Sequence, residues 1–332
     1  PLILKDGTII YGKDDGYVYA LDASGRLQWE TPLDDPYNPD APYDDNEQVI
    51  PSPVIGSNNT IYVCSHWGNV YTPDSVQRIM QRVPRDQRDE IEIQGVEKDK
   101  WGKLYAINAK NGSRKWSYDP SDDYPVQNGK KFIFGSPAVS DEGTVYFSCY
   151  DKKTGYLYAI NPNGTVKWRY PQMSKKSKLS RLTSSVSVAD DGTIYTASFN
   201  FSGKASVYAF NDSGRLLWEY KIQENRITSG PSISDDGTIY VGGINWGFSS
   251  NSDMSKHAHL YAITADQNQP RLEWKFKVEY GINSSPVIDR NGNILFATYS
   301  DPMIVGDLGP YRVYLLSSEG KELWSYPLKG RV

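Results

Sequence analysis

Three tryptophans, Trp67, Trp101 and Trp246, and all three histidines, His66, His257 and His259, fall in or beside connecting segments rather than within strand-like stretches. Aromatic rings exposed on connections can stack on sugar rings or anchor a protein partner. The same rings can equally pin long loops onto their own scaffold, and both readings stay open. His257 and His259 offer two imidazoles to a transition metal, but spacing identifies no third ligand. A second candidate is acidic. Asp34, Asp35, Asp40, Asp44 and Asp45 crowd one connection with Asn38, Asn46 and Glu47. Their oxygens suit calcium, which takes flexible sets of carboxylates and carbonyls, although the segment lacks the spacing and turn glycine of an EF-hand loop. A solvated acidic loop is the plainer reading. Glu279, Asp301 and Asp307 are conceivable acids for glycoside chemistry, but nothing in their spacing pairs them. No nucleophile elbow, phosphate loop, zinc-protease helix or dinucleotide fingerprint is present.

The bulk of the chain narrows the classes. Its 332 residues are 38% hydrophobic and 23% charged, an ordinary folded composition long enough for one large domain. A net charge of -4 argues against nucleic acid as partner, since phosphate binding needs a concentrated positive field. The longest basic run, Lys175, Lys176, Lys178 and Arg181, reads as a solvated loop. No apolar run approaches the roughly 20 residues of a membrane span. The start at Pro1, without methionine, reads as processing or trimming. Cys64 and Cys149 are too few for a disulfide framework and follow apolar strand patterns, so they read as buried free thiols. The 25 tyrosines and nine tryptophans favour strands, whose pleated, half-buried surfaces suit aromatic rings.

The elements that position these candidates come from a repeat. SSVSVADDGTIYTASFN followed by ASVYAFNDSGRLLWEY is its cleanest copy, and GPSISDDGTIYVGG, SPVIGSNNTIYVCS, SPAVSDEGTVYFSC, SPVIDRNGNILFAT and PLILKDGTIIYG open five others. Each copy ends on one tryptophan: Trp29, Trp116, Trp168, Trp218, Trp274 and Trp324. Successive tryptophans lie roughly 50 residues apart, the period of one propeller blade, except for a longer gap between Trp29 and Trp116. Within a copy, a short apolar strand meets Asp, Asn and Gly residues that tolerate positive φ, the mark of a tight hairpin. Three further strands follow, the last carrying the tryptophan. This predicts an all-β chain: a single β-propeller of four-stranded antiparallel blades over residues 1–332, with six blades visible. A ring closing between the sixth and first blades is the simplest arrangement, and a fragment of a seven- or eight-bladed propeller is the alternative. The long gap holds an insertion over 68–102 in the second blade, where residues 74–90 read as a short helix broken near Pro84. Six N-x-S/T sequons occur, at Asn58, Asn111, Asn163, Asn200, Asn211 and Asn283, three of them in turns that favour asparagine anyway.

The segments AINAKNGSRKW, AINPNGTVKW and AFNDSGRLLW resemble the tryptophan-docking motif of PQQ-like (quinoprotein-type) propellers, and the resemblance covers nearly the whole chain. It implies that the six repeat tryptophans are structural, each packed between neighbouring blades. That family holds PQQ- and calcium-dependent quinoprotein dehydrogenases, and also non-enzymatic members such as the lipoprotein of the outer-membrane β-barrel assembly machinery. The adjacent cysteines many of the enzymes carry are missing, and neither calcium ligands nor a catalytic aspartate can be aligned. The expectation is therefore a non-catalytic propeller outside the cytoplasm, periplasmic or surface-attached. It would present a loop-rich face to a protein or a cell-surface glycan, without PQQ and with calcium possible. The alternative is a PQQ- and calcium-dependent dehydrogenase.

Overall fold

The computed structural model describes residues 1–34, 47–49, 51–67, 102–121, 135–150, 154–171, 179–182, 184–200, 204–244, 257–266, 269–298 and 311–328. The insertion expected over 68–102, with its helix, lies outside the described residues apart from Gly102.

The first blade is β1 (Leu2–Ile3), β2 (Ile9–Gly12), β3 (Tyr17–Leu21) and β4 (Leu27–Pro32). Next, β5 (Glu47–Gln48) precedes the second blade of β6 (Val54–Ile55), β7 (Thr60–Cys64), β9 (Leu104–Asn108) and β10 (Arg114–Tyr118), while β8 (His66–Trp67) pairs with β5 in a ribbon of its own. The third blade is β11 (Ala138–Val139), β12 (Val145–Tyr150), β13 (Gly155–Ile160) and β14 (Val166–Tyr170). In the fourth, β15 (Arg181–Leu182) extends a sheet of β16 (Ser187–Val188), β17 (Ile194–Phe199), β18 (Ser206–Phe210) and β19 (Leu216–Lys221). The fifth is β20 (Ser232–Ile233), β21 (Ile239–Gly242), β22 (Ala258–Asp266) and β23 (Gln269–Val278), and the sixth β24 (Val287–Ile288), β25 (Ile294–Ala297), β26 (Arg312–Leu316) and β27 (Glu322–Pro327). Every blade is an antiparallel meander in chain order, and first strands of adjacent blades meet, β6 with β11, β11 with β16 and β20 with β24. The protein is a β-propeller, with six four-stranded blades among the described residues.

The repeat explains the stacking. Alternation sends Ile61 and Val63 towards the first blade and Tyr62 and Cys64 towards the third, so both faces of a middle blade are apolar and buried. Five apolar cores result, one for each pair of successive blades. Opposite each of the first five repeat tryptophans stands an alanine of the third strand, Ala20, Ala106, Ala159, Ala209 or Ala262, and the register slips by one residue just before the tryptophan. The small residue leaves room for the indole, and the bulge turns it outward towards the next blade.

There the indole meets a turn. Trp29, Trp116, Trp168 and Trp274 donate Nε1–H to the carbonyls of Ala109, Pro162, Asp212 and Ser318 at 3.2, 2.9, 2.7 and 2.8 Å. The rings lie over Gly112, Gly164, Gly214 and Gly320, all at positive φ, where any Cβ would fall within 2.5–3.0 Å of the indole. Glycine is required twice over at these positions, for its backbone and for its missing side chain. Behind the ring, a tyrosine of the second strand tilts against it at 5.7–5.8 Å in the four middle blades, Tyr62, Tyr146, Tyr195 and Tyr240. Trp218, only 6% exposed, packs in the core between the fourth and fifth blades.

The closure expected between the sixth and first blades is not formed among the described residues. Trp324 is 45% exposed, and a Cβ on Gly25 would meet nothing within 4 Å. The sequon residues Asn58, Asn111 and Asn163 serve their own turns, accepting the backbone N–H of Thr60, Ser113 and Thr165.

The indole seat gives a controlled test. Gly214 and Gly25 share nearly the same φ, 78° and 82°, but only Gly214 lies under a ring. Gly25→Ala is expected to cost about 1 kcal/mol for its left-handed backbone, and Gly214→Ala roughly 1–3 kcal/mol more for the collision with Trp168. Denaturant unfolding of the two variants measures the difference.

Candidate binding face

The two ends of the blades are built differently. At one end lie the turns between first and second strands and between third and fourth strands. Apart from the third-to-fourth turn of the fifth blade, where residues 267–268 lie outside the described residues, these are tight, each closed by a backbone hydrogen bond onto a residue such as Leu4, Ser140, Asn161 or Ser317. The other end carries the connections between second and third strands and between blades, which in this sequence are mostly long. The first and third blades are exceptions between their second and third strands: the first has a short turn through Gly16 at φ 80° between Lys13 and Tyr17, and the third only residues 151–154.

At this loop-bearing end, the inter-blade connections are laced to the strand ends by backbone pairing. Gln48 and Glu47 pair with His66 and Trp67. Leu179 bridges Gly155, and β15 pairs with the end of β17. Arg226 bridges both Phe199 and Ile244. These pairings place Arg181, Phe199, Arg226 and Ile244 in one lateral row, since residues opposite one another in a ladder share a face. The Arg226 guanidinium lies 5.4 Å from the centre of the Phe199 ring. Nearby, burial pushes the Tyr150 phenol up while the charges of Arg226 and Arg181 pull it down, for a net rise. Arg181, read from sequence as part of a solvated basic run, is instead a half-buried strand residue; Lys175, Lys176 and Lys178 lie outside the described residues.

A buried carboxylate sits in the same region. Glu224, on the connection from the fourth blade to the fifth, is 1% exposed. Its Oε2 accepts the Tyr261 hydroxyl at 2.6 Å, and its Oε1 lies 2.6 Å from His259 Nδ1. The backbone on either side is tied down: Gln223 N–H donates to the Tyr261 hydroxyl, and Ala205 N–H donates to the Glu224 carbonyl. Gly243 makes the space, for a Cβ there would lie 2.9 Å from the Glu224 side chain. The second blade uses a different carboxylate nearby, for Asp34 stands at the position of Gln223 rather than of Glu224. Lys103, at the position of His259, pairs with Asp34 at 2.5 Å, and Asp34 N–H reaches the Tyr105 hydroxyl at 3.4 Å.

The sequence candidates are therefore dispersed. His66 is buried in the second blade, and burial lowers its pKa from 6.5 to about 4. His257 and His259 belong to the fifth blade, and the Nδ1 of His259 is engaged by Glu224. The backbone of Trp67 lies in β8; Trp101 and Trp246 lie outside the described residues. Asp34 gives one oxygen to Lys103 and the other to Arg114. Its partial burial raises its pKa, and the two cations outweigh that and hold it below the usual carboxylate range. Asp35, Asp44, Asp45, Asp301 and Asp307 lie outside the described residues, and Glu279 is exposed. Among the described residues, no three His, Cys, Asp or Glu side chains come together in a group able to hold a metal ion. No helix there is long and apolar enough to cross a membrane. Cys64 and Cys149 are buried free thiols in one core, and burial, with the neighbouring Cys149, pushes the Cys64 pKa up. Glu224 and Arg226 were not singled out from the sequence; the usable signal was a charged pair in a connection otherwise bounded by Ile222 and Ile227.

Two measurements follow from these groups. Since the folded pKa of His66 is lowered, the unfolded chain takes up the extra proton as pH falls from 6.5 to 4. Stability is expected to drop through that window by up to about 3 kcal/mol, and to be unaffected by this residue at higher pH. Denaturation midpoints against pH should show a shallower acid slope in His66→Gln. Tyr261→Phe removes one of two short contacts to a buried carboxylate and is expected to cost about 1.5–3 kcal/mol in urea unfolding.

Comparison with known proteins agrees with the architecture. Solved structures that resemble the chain include virginiamycin B lyase from Staphylococcus aureus, at 14% identity and TM-score 0.56 over 99% of this chain and 84% of that one. The C-terminal domain of Pseudomonas aeruginosa PilY1 matches at 11% identity and TM-score 0.55 over 95% and 79%. A protein of unknown function from Bacteroides caccae matches at 12% identity and TM-score 0.50 over 96% and 93%. Such identities show a shared fold alone. No curated protein matches the chain. The model of one family matches residues 84–202 and 203–332. On that match, the chain belongs to the PQQ-like repeat family described as outer membrane protein assembly factor BamB.

Proposed function

We propose that this protein is a non-catalytic propeller outside the cytoplasm that holds a protein partner against its loop-bearing face. The observation that carries the reading is the asymmetry between the two ends of the blades. One end consists of tight glycine turns with little side chain to offer, while the other bears the long connections and their aromatic residues, laced onto the strand ends by backbone pairing. Loops held on a rigid scaffold are where recognition concentrates, and tryptophan is enriched among the residues that dominate protein interfaces. The family description, an assembly factor for outer membrane proteins, supports a protein partner and a location outside the cytoplasm.

The test places a photo-crosslinking amino acid at Trp67, Trp101 or Trp246, and at Ser24, Asn163 or Ser213 on the tight-turn end, and exposes each variant to an envelope extract of the source cell. The expected outcome is one discrete protein adduct from the loop-bearing positions and none from the other three. Adducts from the tight-turn end would reverse the assignment. A thermal-shift series run alongside covers the other readings. A rise in melting temperature with cell-wall oligosaccharides would favour a glycan. A rise needing PQQ and calcium together would favour the dehydrogenase.

A further inference from the structure

Glu224 is a carboxylate removed from water, and the binding of a protein partner makes no use of it. One of its oxygens lies 2.6 Å from His259 Nδ1. The other accepts the Tyr261 hydroxyl, which in turn accepts the Gln223 N–H, so the carboxylate is held from both sides. A carboxylate on Nδ1 fixes the ring and places the proton there, which leaves Nε2 as the nitrogen with a lone pair to offer. That nitrogen makes no hydrogen bond among the described residues and is not buried, and the His259 side chain is 16% exposed.

His257 lies two residues earlier, roughly 7 Å away along an extended chain. Alternate residues of a strand share a side. Ala258 and Leu260 pack towards the sixth blade, and Tyr261 and Ile263 towards the fourth. His257 and His259 therefore both turn to the side on which Glu224 lies. The Nδ1 of His257 is buried too. Lys277 stands opposite His259 in the ladder but is exposed, so its charge stays in water.

We propose that His257 and His259 bind a divalent ion of copper, nickel or zinc through their Nε2 atoms, with Glu224 as the positioning residue behind His259. Imidazole selects these ions over calcium and magnesium, which prefer oxygen. A carboxylate behind a ligating histidine orients the ring and raises its basicity. No third protein ligand joins the pair among the described residues, so water completes the coordination and leaves the ion open to an exchangeable ligand.

Copper(II) is the probe. The chain has three histidines, and His66 is buried in the second blade, so a signature of two imidazoles can come only from this pair. Pulsed electron paramagnetic resonance of the untagged protein with equimolar copper is expected to show two imidazoles. The number should fall to one in His257→Gln and in His259→Gln, with circular dichroism unchanged. The remote ring nitrogen that such spectra read is Nδ1. Glu224→Gln should therefore shift the His259 coupling, besides weakening copper binding about 10–100-fold. If that variant does not fold, Tyr261→Phe, which only loosens the carboxylate, should shift the same coupling. Fewer than two imidazoles in the wild type, or two that survive His259→Gln, overturns the proposal. Copper bound only in large excess is an adventitious ion only and overturns it as well. A His259 coupling unmoved by either variant removes Glu224 from the site.

Discussion

An indole is a flat, rigid slab with one donor at its edge, and it can lie against a backbone only where no side chain intervenes. Here the backbone is a glycine turn on the neighbouring blade, and the rest of the blade is arranged around that contact. The alanine opposite the ring makes room for it, the bulge before it rotates it outward, and the tyrosine of the second strand supports it from behind. The indole N–H reaches the turn carbonyl and fixes the angle between blades, since a donor aimed at one oxygen tolerates little rotation. Buried apolar surface supplies most of the driving force between blades, but it is non-directional, and the indole contact sets the geometry in which that surface is buried.

The same economy separates the two ends of the molecule. The turns under Trp29, Trp116, Trp168 and Trp274 must stay short and glycine-bearing, which leaves little room there for other side chains. The opposite end is released from the constraint, and there the chain places polar and charged groups that need individual arrangements. The Glu224 site illustrates the cost. A carboxylate removed from water needs its hydrogen bonds replaced, and two neighbouring strands of the fifth blade contribute: β22 with the hydroxyl of Tyr261 and the imidazole of His259, and the end of β21 with the absent side chain of Gly243. The second blade meets the same need more cheaply by leaving Asp34 and Lys103 near solvent.

The periodic features were legible in the linear chain because they follow from local rules repeated six times. Alternating apolar residues specify strands with two buried faces, Asp-x-Gly and Asn-x-Gly specify turns, and a tryptophan at a constant offset after each turn specifies the stacking. None of these requires knowing what lies across the molecule. The family resemblance rested on the same local pattern.

What the tertiary structure alone decided are the contacts between residues far apart in sequence. Arg181 looked like part of a solvated run because its neighbours are lysines; strand pairing with Phe199 makes it half-buried. His66 looked like an exposed loop residue beside Trp67; its place in β8, two residues past the fully buried β7, makes it a buried group whose pKa is lowered. Glu224 could not be distinguished from any surface glutamate until the fifth blade closed over it. Closure of the ring is of the same kind. Six equivalent repeats suggested a ring, but whether the last flank meets the first depends on the rotation between blades accumulated through five interfaces. No short stretch of sequence encodes that sum, because each blade senses only its immediate neighbours.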